Sequence, residues 1–131
     1  LLSTATSQFE IGGLTRGTQY DAIDVTGTAT LAGSVQLNFS NNFQSTITSD
    51  QTFTLINAAA LAGSFVNAAN GVQLGTLDGF GSFQVNYGAS SAFAANSLVL
   101  SNFIPVPEPS TWALLGIGAV VVLLNLRRRK L

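Results

Sequence analysis

The sequence predicts an all-β domain, either a β-solenoid end or a β-sandwich-like unit, followed by a single C-terminal transmembrane helix. Three observations predict it. Before residue 105, apolar residues recur with period two in short runs, as on strands with one buried face. Glycine-bearing turns such as Gly12-Gly13, Gly27, Gly33, Gly63, Asn70-Gly71 and Gly79 to Gly81 separate those runs. Finally, a charge-free apolar stretch near the end stops at four consecutive cations.

Taken in order, Thr18–Val25 reads as a strand with Tyr20 and Ala22 on one side and Ile23 and Val25 on the other. Thr28–Leu31 and Ser34–Phe39 follow, the second with Val35, Leu37 and Phe39 on one face. Thr52–Ile56 pairs Phe53 with Leu55. Asn57–Ala62 suits a helical turn or equally a bend. Ser82–Tyr87 aligns Phe83, Val85 and Tyr87, and Asn96–Ser101 aligns Leu98 and Leu100. The expected organisation is a β-rich extracytoplasmic domain over 1–104, a Pro-Glu-Pro linker over 105–110, a membrane helix over 111–126 and a basic stop over 127–131.

The formal net charge of −1 hides a division. Residues 1–105 hold Glu10, Asp21, Asp24, Asp50 and Asp78 against one cation, Arg16, while the tail holds Arg127, Arg128, Arg129 and Lys130. With no basic stripe to displace counterions from phosphates, the domain is not expected to bind nucleic acid. The chain has no Cys and no His, and its one Lys lies in the tail. That removes disulfides, Ser-His-Asp and Cys-His nucleophile systems, Schiff-base chemistry and His-based metal sites. Asp21 and Asp24, three apart, would face opposite sides of a strand and so cannot flank one bond together. With carbonyls near Gly27 they are the only candidates for calcium, although no calcium-loop spacing surrounds them. The expectation is a protein without cofactor, metal site or catalytic residue. Aromatic residues mostly recur at core spacing; Tyr20, Phe43, Phe80 and Tyr87 are those that would stack on a sugar if exposed.

The run from Thr111 to Leu126 rises roughly 24 Å as a helix, short of the ~30 Å hydrocarbon core. Its flanks favour the membrane. Trp112 suits the headgroup region at one end, and the stems of Arg127, Arg128, Arg129 and Lys130 snorkel at the other. Leu114, Leu115, Val120, Val121, Val122, Leu123 and Leu124 would be the lipid-buried anchor. Gly116 and Gly118 lack GxxxG spacing and read as packing tolerance. The positive-inside rule places the cation cluster in the cytoplasm and everything before Pro105 outside it. Just upstream, Pro107 and Pro109 flank Glu108, fixing an extended strip and removing two N–H donors.

Val106-Pro107-Glu108-Pro109-Ser110-Thr111-Trp112-Ala113-Leu114-Leu115-Gly116, with the span and terminal cations, resembles the PEP-CTERM sorting signal of Gram-negative bacteria. The resemblance implies export across the inner membrane and recognition by exosortase, a cysteine transpeptidase that would cut near Pro107-Glu108-Pro109. Val106, Pro107, Glu108 and Pro109 would then be recognition residues of a substrate. It further implies an envelope or extracellular-matrix location in a bacterium that makes exopolysaccharide. Export would require a leader, and Leu1-Leu2-Ser3 offers neither a basic n-region nor an apolar h-region. A fragment or processed form of a longer precursor is therefore expected.

Residues Phe9 to Phe39, with Thr52-Phe53-Thr54-Leu55-Ile56 and Gly63-Ser64-Phe65, resemble the C-terminal rungs of autotransporter-like β-helix surface proteins. That resemblance implies a stacked fold open at its N-terminal edge and capped by Ser82 to Ser101. The function expected from all of this is a non-enzymatic, secreted envelope or matrix protein. It would partner exosortase and the membrane, and associate with exopolysaccharide in a biofilm. An adhesin or glycan-binding surface module is the alternative.

Overall fold

A computed structural model describes residues 3–107 of the chain. They form seven strands: β1 (Thr6–Ile11), β2 (Ile23–Leu31), β3 (Ser34–Phe39), β4 (Phe53–Gly63), β5 (Gln73–Gly75), β6 (Gly81–Asn86) and β7 (Ser97–Pro105). A single 3₁₀ turn, Phe43–Ser45, interrupts them. β1 and β3 pair in parallel as a two-stranded sheet. The second sheet has five strands in the order β2-β4-β7-β6-β5, with β2 and β4 parallel and the remaining pairs antiparallel.

The chain thus alternates between sheets, β1 to β2 to β3 to β4, and each sheet gains one parallel neighbour. There the layering stops. β7 returns antiparallel between β4 and β6, so no further rung stacks on β4. The described residues form neither a solenoid nor a closed barrel. This corrects the solenoid-end expectation in favour of its alternative, a sandwich-like β fold. The strands expected to act as a solenoid cap, β6 and β7, are instead inner strands of the larger sheet.

One core joins the two sheets. Phe9, Ile11, Val35, Leu37 and Phe39 come from the small sheet, and Phe53, Leu55, Phe83, Val85, Leu98, Leu100 and Phe103 from the large one. Aromatic rings carry its centre. Phe53 meets Tyr20, Phe43 and Phe83 edge-on at centroid distances of 5.2, 6.0 and 5.7 Å. Such edge-to-face pairs add about 1 kcal/mol each beyond area burial.

Side chains close the outer edge of β3. The Asn67 amide accepts from Val35 N–H at 2.9 Å and donates to Val35 C=O at 2.7 Å, copying the hydrogen bonds of a neighbouring strand. Farther along, Leu77 N–H donates to Leu37 C=O, and the Asp78 carboxylate accepts from Phe39 N–H. At the other end of the small sheet, only the last part of β1 is covered. Glu10 and Asp21 exchange two hydrogen bonds there, and Gly12 N–H donates to Gln19 C=O. β2, an edge strand of the large sheet, breaks register between Val25 and Thr28. A bulge of that kind twists an edge away from unwanted strand partners.

Two expected elements differ. Asn57–Ala62 is neither helical turn nor bend: it continues β4, because Val25, Thr28, Ala29 and Thr30 of β2 supply its backbone partners. The strand expected from Thr18 begins only at Ile23. Thr15 C=O instead collects the N–H groups of Gln19 and Tyr20, and Gln19 Oε1 accepts from Leu14 and Thr15, so residues 14–20 close a turn. Tyr20 leaves that turn pointing into the core, and Ile23 is left exposed.

Candidate sorting site at the C-terminal exit

The chain leaves the domain through β7, and its last steps are tightly held. Gly81 pairs with Pro105 and Ser82 with Ile104 across the β6–β7 ladder. One step farther, Val106 N–H donates to Phe80 C=O at 2.9 Å. Gly81 is required here by close approach, since a Cβ at that position would run into the Phe103 ring and the Ile104 carbonyl. Phe103 turns inward onto Phe39 and Phe83, while Asn102, at φ 48°, takes up the bulge between the Ser82 and Gln84 rungs. Alternation then places Phe80, Ile104 and Val106 together on the outward face.

Of the expected recognition residues, Val106 and Pro107 are described, and both are exposed. Val106 is fixed to the domain by its hydrogen bond to Phe80, and Pro107 has no N–H to extend the ladder. Glu108, Pro109, the anchor residues Trp112, Leu114, Leu115 and Val120 to Leu124, and the stop residues Arg127 to Lys130 lie outside the described residues. Among the described residues no helix is long and apolar enough to cross a membrane. Sequence reasoning found the motif but missed Phe80 as its neighbour. Phe80 sits in a Gly-rich turn far upstream, and only the β6–β7 register brings it to Val106.

The turn that carries Phe80 is anchored by Asp78. Its carboxylate accepts from Thr76 Oγ1 at 2.6 Å, Phe39 N–H at 2.9 Å and Phe80 N–H at 3.2 Å. Burial pushes this carboxyl up, but the Thr76 hydroxyl and the Phe39 and Phe80 amides outweigh it and hold it below the usual carboxylate range. A depressed folded-state value means stability that is complete above the ordinary carboxylate pKa of about 4 and lost as pH falls through the folded value. The expected result is a urea midpoint gap between wild type and Asp78→Asn that is widest at neutral pH and closes in acid. The comparison isolates Asp78 from Asp24 and Asp50, whose carboxyls are also held low by hydrogen bonds from Arg16 and the Thr48 hydroxyl respectively.

The remaining candidates are not gathered into one site. Asp21 is not on a strand; its carboxylate takes the Glu10 N–H at 2.8 Å beside a polar cleft of about 200 Å³ lined by Glu10, Ser40 and Asn41. Asp24 instead pairs with Arg16 at 2.9 Å, and the guanidinium also donates to Thr54 C=O. The two aspartates therefore serve separate contacts. Among the described residues no group of three or more acidic, His or Cys side chains converges to hold a metal ion. Of the aromatic residues considered for sugar stacking, Tyr20 and Tyr87 are buried, and Tyr87 spends its hydroxyl on Ala68 C=O at 2.6 Å. Burial pushes that phenol up.

No curated protein and no solved structure matches the chain. The β-helix resemblance of the N-terminal part is without support from these comparisons. Residues 105–130 match the PEP-CTERM protein-sorting motif, the mark of an exosortase-targeted protein of Gram-negative bacteria that is exported or membrane-anchored.

Proposed function

We propose that this chain is a non-enzymatic envelope or matrix protein, held at the inner membrane by residues 111–126 until exosortase cuts near Pro107-Glu108-Pro109. The observation that carries the reading is the sorting motif itself, emerging directly from a folded β domain at an exposed, pinned exit. The cations at 127–130 stay in the cytoplasm and the β domain faces away from it. After release the domain associates with exopolysaccharide in the biofilm matrix. A chain without His or Cys, with few charges and many small polar residues, supports a structural role there.

Intact-mass measurement on protein from the native envelope, with and without active exosortase, tests this reading. The expected result is loss of everything after the Pro107-Glu108-Pro109 region only when the enzyme is active. A C-terminus still at Leu131 in both samples would defeat the sorting reading and leave a plain membrane-anchored β domain.

A further inference from the structure

The turn and strand end around the exit carry apolar side chains that the domain leaves partly exposed. Leu77 is 58% exposed, Phe80 37%, Ile104 55% and Val106 52%. Phe80 and Val106 face each other across the last rung, and Ile104 lies two residues back on the same face. Clustered apolar exposure of this kind marks a contact surface, whereas single exposed apolar residues do not. The one charge in the turn, Asp78, is engaged by Thr76, Phe39 and Phe80. The domain's only cation, Arg16, is committed to Asp24 and Thr54.

We infer that this face rests on the membrane surface, with Phe80, Ile104 and Val106 dipping into the headgroup layer. The inference depends on the proposal that residues 111–126 span the bilayer. Chain length identifies the occupant. Four Cα–Cα steps separate Pro107 from Thr111, so the tether reaches at most about 14 Å. The interfacial layer is itself roughly 5–8 Å thick on each side. The Val106 amide, bonded to Phe80 C=O, keeps the start of the tether at the domain edge. A domain held that close presents some face to the lipid, and the apolar one at the exit is nearest. Aromatic and branched aliphatic side chains favour that interface, as in the aromatic belts of membrane proteins. Because the surface carries no Lys or Arg, it suits zwitterionic lipid and does not depend on anionic headgroups. Seated this way, the domain would present Pro107-Glu108-Pro109 at a fixed height for the processing enzyme.

The test uses the full chain in phosphatidylcholine vesicles containing shallow brominated lipid. The chain has no Cys, so Phe80→Cys, Ile104→Cys and Val66→Cys each accept one environment-sensitive fluorophore, and the single Trp, Trp112, reports on the anchor. Val66, 78% exposed and bonded through its amide to Gly33, is the off-site reference. Blue-shifted, lipid-quenched emission at positions 80 and 104, with neither at 66, is the expected result. Quenching of Trp112 with all three labels reporting water would overturn the inference while leaving the anchor intact. An unquenched Trp112 would remove the anchor reading and this inference with it. Shielding at position 80 that no lipid quenches and that disappears on dilution would assign the face to a second copy of the chain, and would equally overturn it.

Discussion

Phe53→Ala is expected to cost about 4 kcal/mol of folding free energy. The ring is fully buried and holds three edge-on aromatic partners, Tyr20, Phe43 and Phe83, that come from two turns and a strand distant in sequence. Truncation removes the apolar contact and leaves a hole that rigid neighbours cannot fill. Domains of this size are stable by only about 5–15 kcal/mol, so the loss is a large share of the total. The thermal midpoint should fall by on the order of 20 °C. Thermal unfolding of the full chain in detergent, followed by circular dichroism, measures it. Phe80→Ala at the exit, where the ring is 37% exposed, should cost far less, on the order of 1 kcal/mol.

Gly63→Ala should cost about 3 kcal/mol. Gly63 ends the β2–β4 ladder opposite Leu31 at φ 73°, a left-handed conformation that costs an L-residue about 1 kcal/mol. Its missing Cβ also faces the Leu31 carbonyl oxygen too closely for an added carbon. Backbone in a paired strand cannot step aside as a flexible side-chain end does, so overpacking adds about 2 kcal/mol more. Gly17→Ala separates the two causes. That residue is at φ 77° with open space around it, so only the conformational part, about 1 kcal/mol, should appear. Equal losses in urea titrations of the two variants would mean that the Leu31 contact contributes nothing.

Where one strand face is apolar and the other polar, the sequence was readable. β3 and most of β6 alternate so clearly that their inward residues follow from period two alone, whereas β7 opens with five buried residues in a row, Ser97 to Ser101, and shows no face contrast there. The second half of β4 did not show itself, because Ala58, Ala59 and Ala60 carry no face contrast and suit a helix as well as a strand. Tyr20 misled in the opposite way: its spacing matches a strand, but a Gln19-closed turn delivers it to the core. The choice between solenoid and sandwich was beyond local pattern. It rests on β7 inserting antiparallel between β4 and β6, a pairing across more than forty residues of chain from Phe53 to Leu100. The exit was half legible. Val106 and Pro107 announce themselves by motif, while Phe80 joins them only through register.

β7 lies between two partners, bonded to β4 on one side and β6 on the other, and it is the strand from which the tether departs. Tension applied through Pro107 therefore enters the domain along an inner strand, with both ladders resisting together. Antiparallel bonds run across the strand, so a pull along it shears many at once instead of unzipping them singly. An edge strand in that position would peel. The order of strands thus sets a pull on the chain beyond Pro107 against two ladders instead of one.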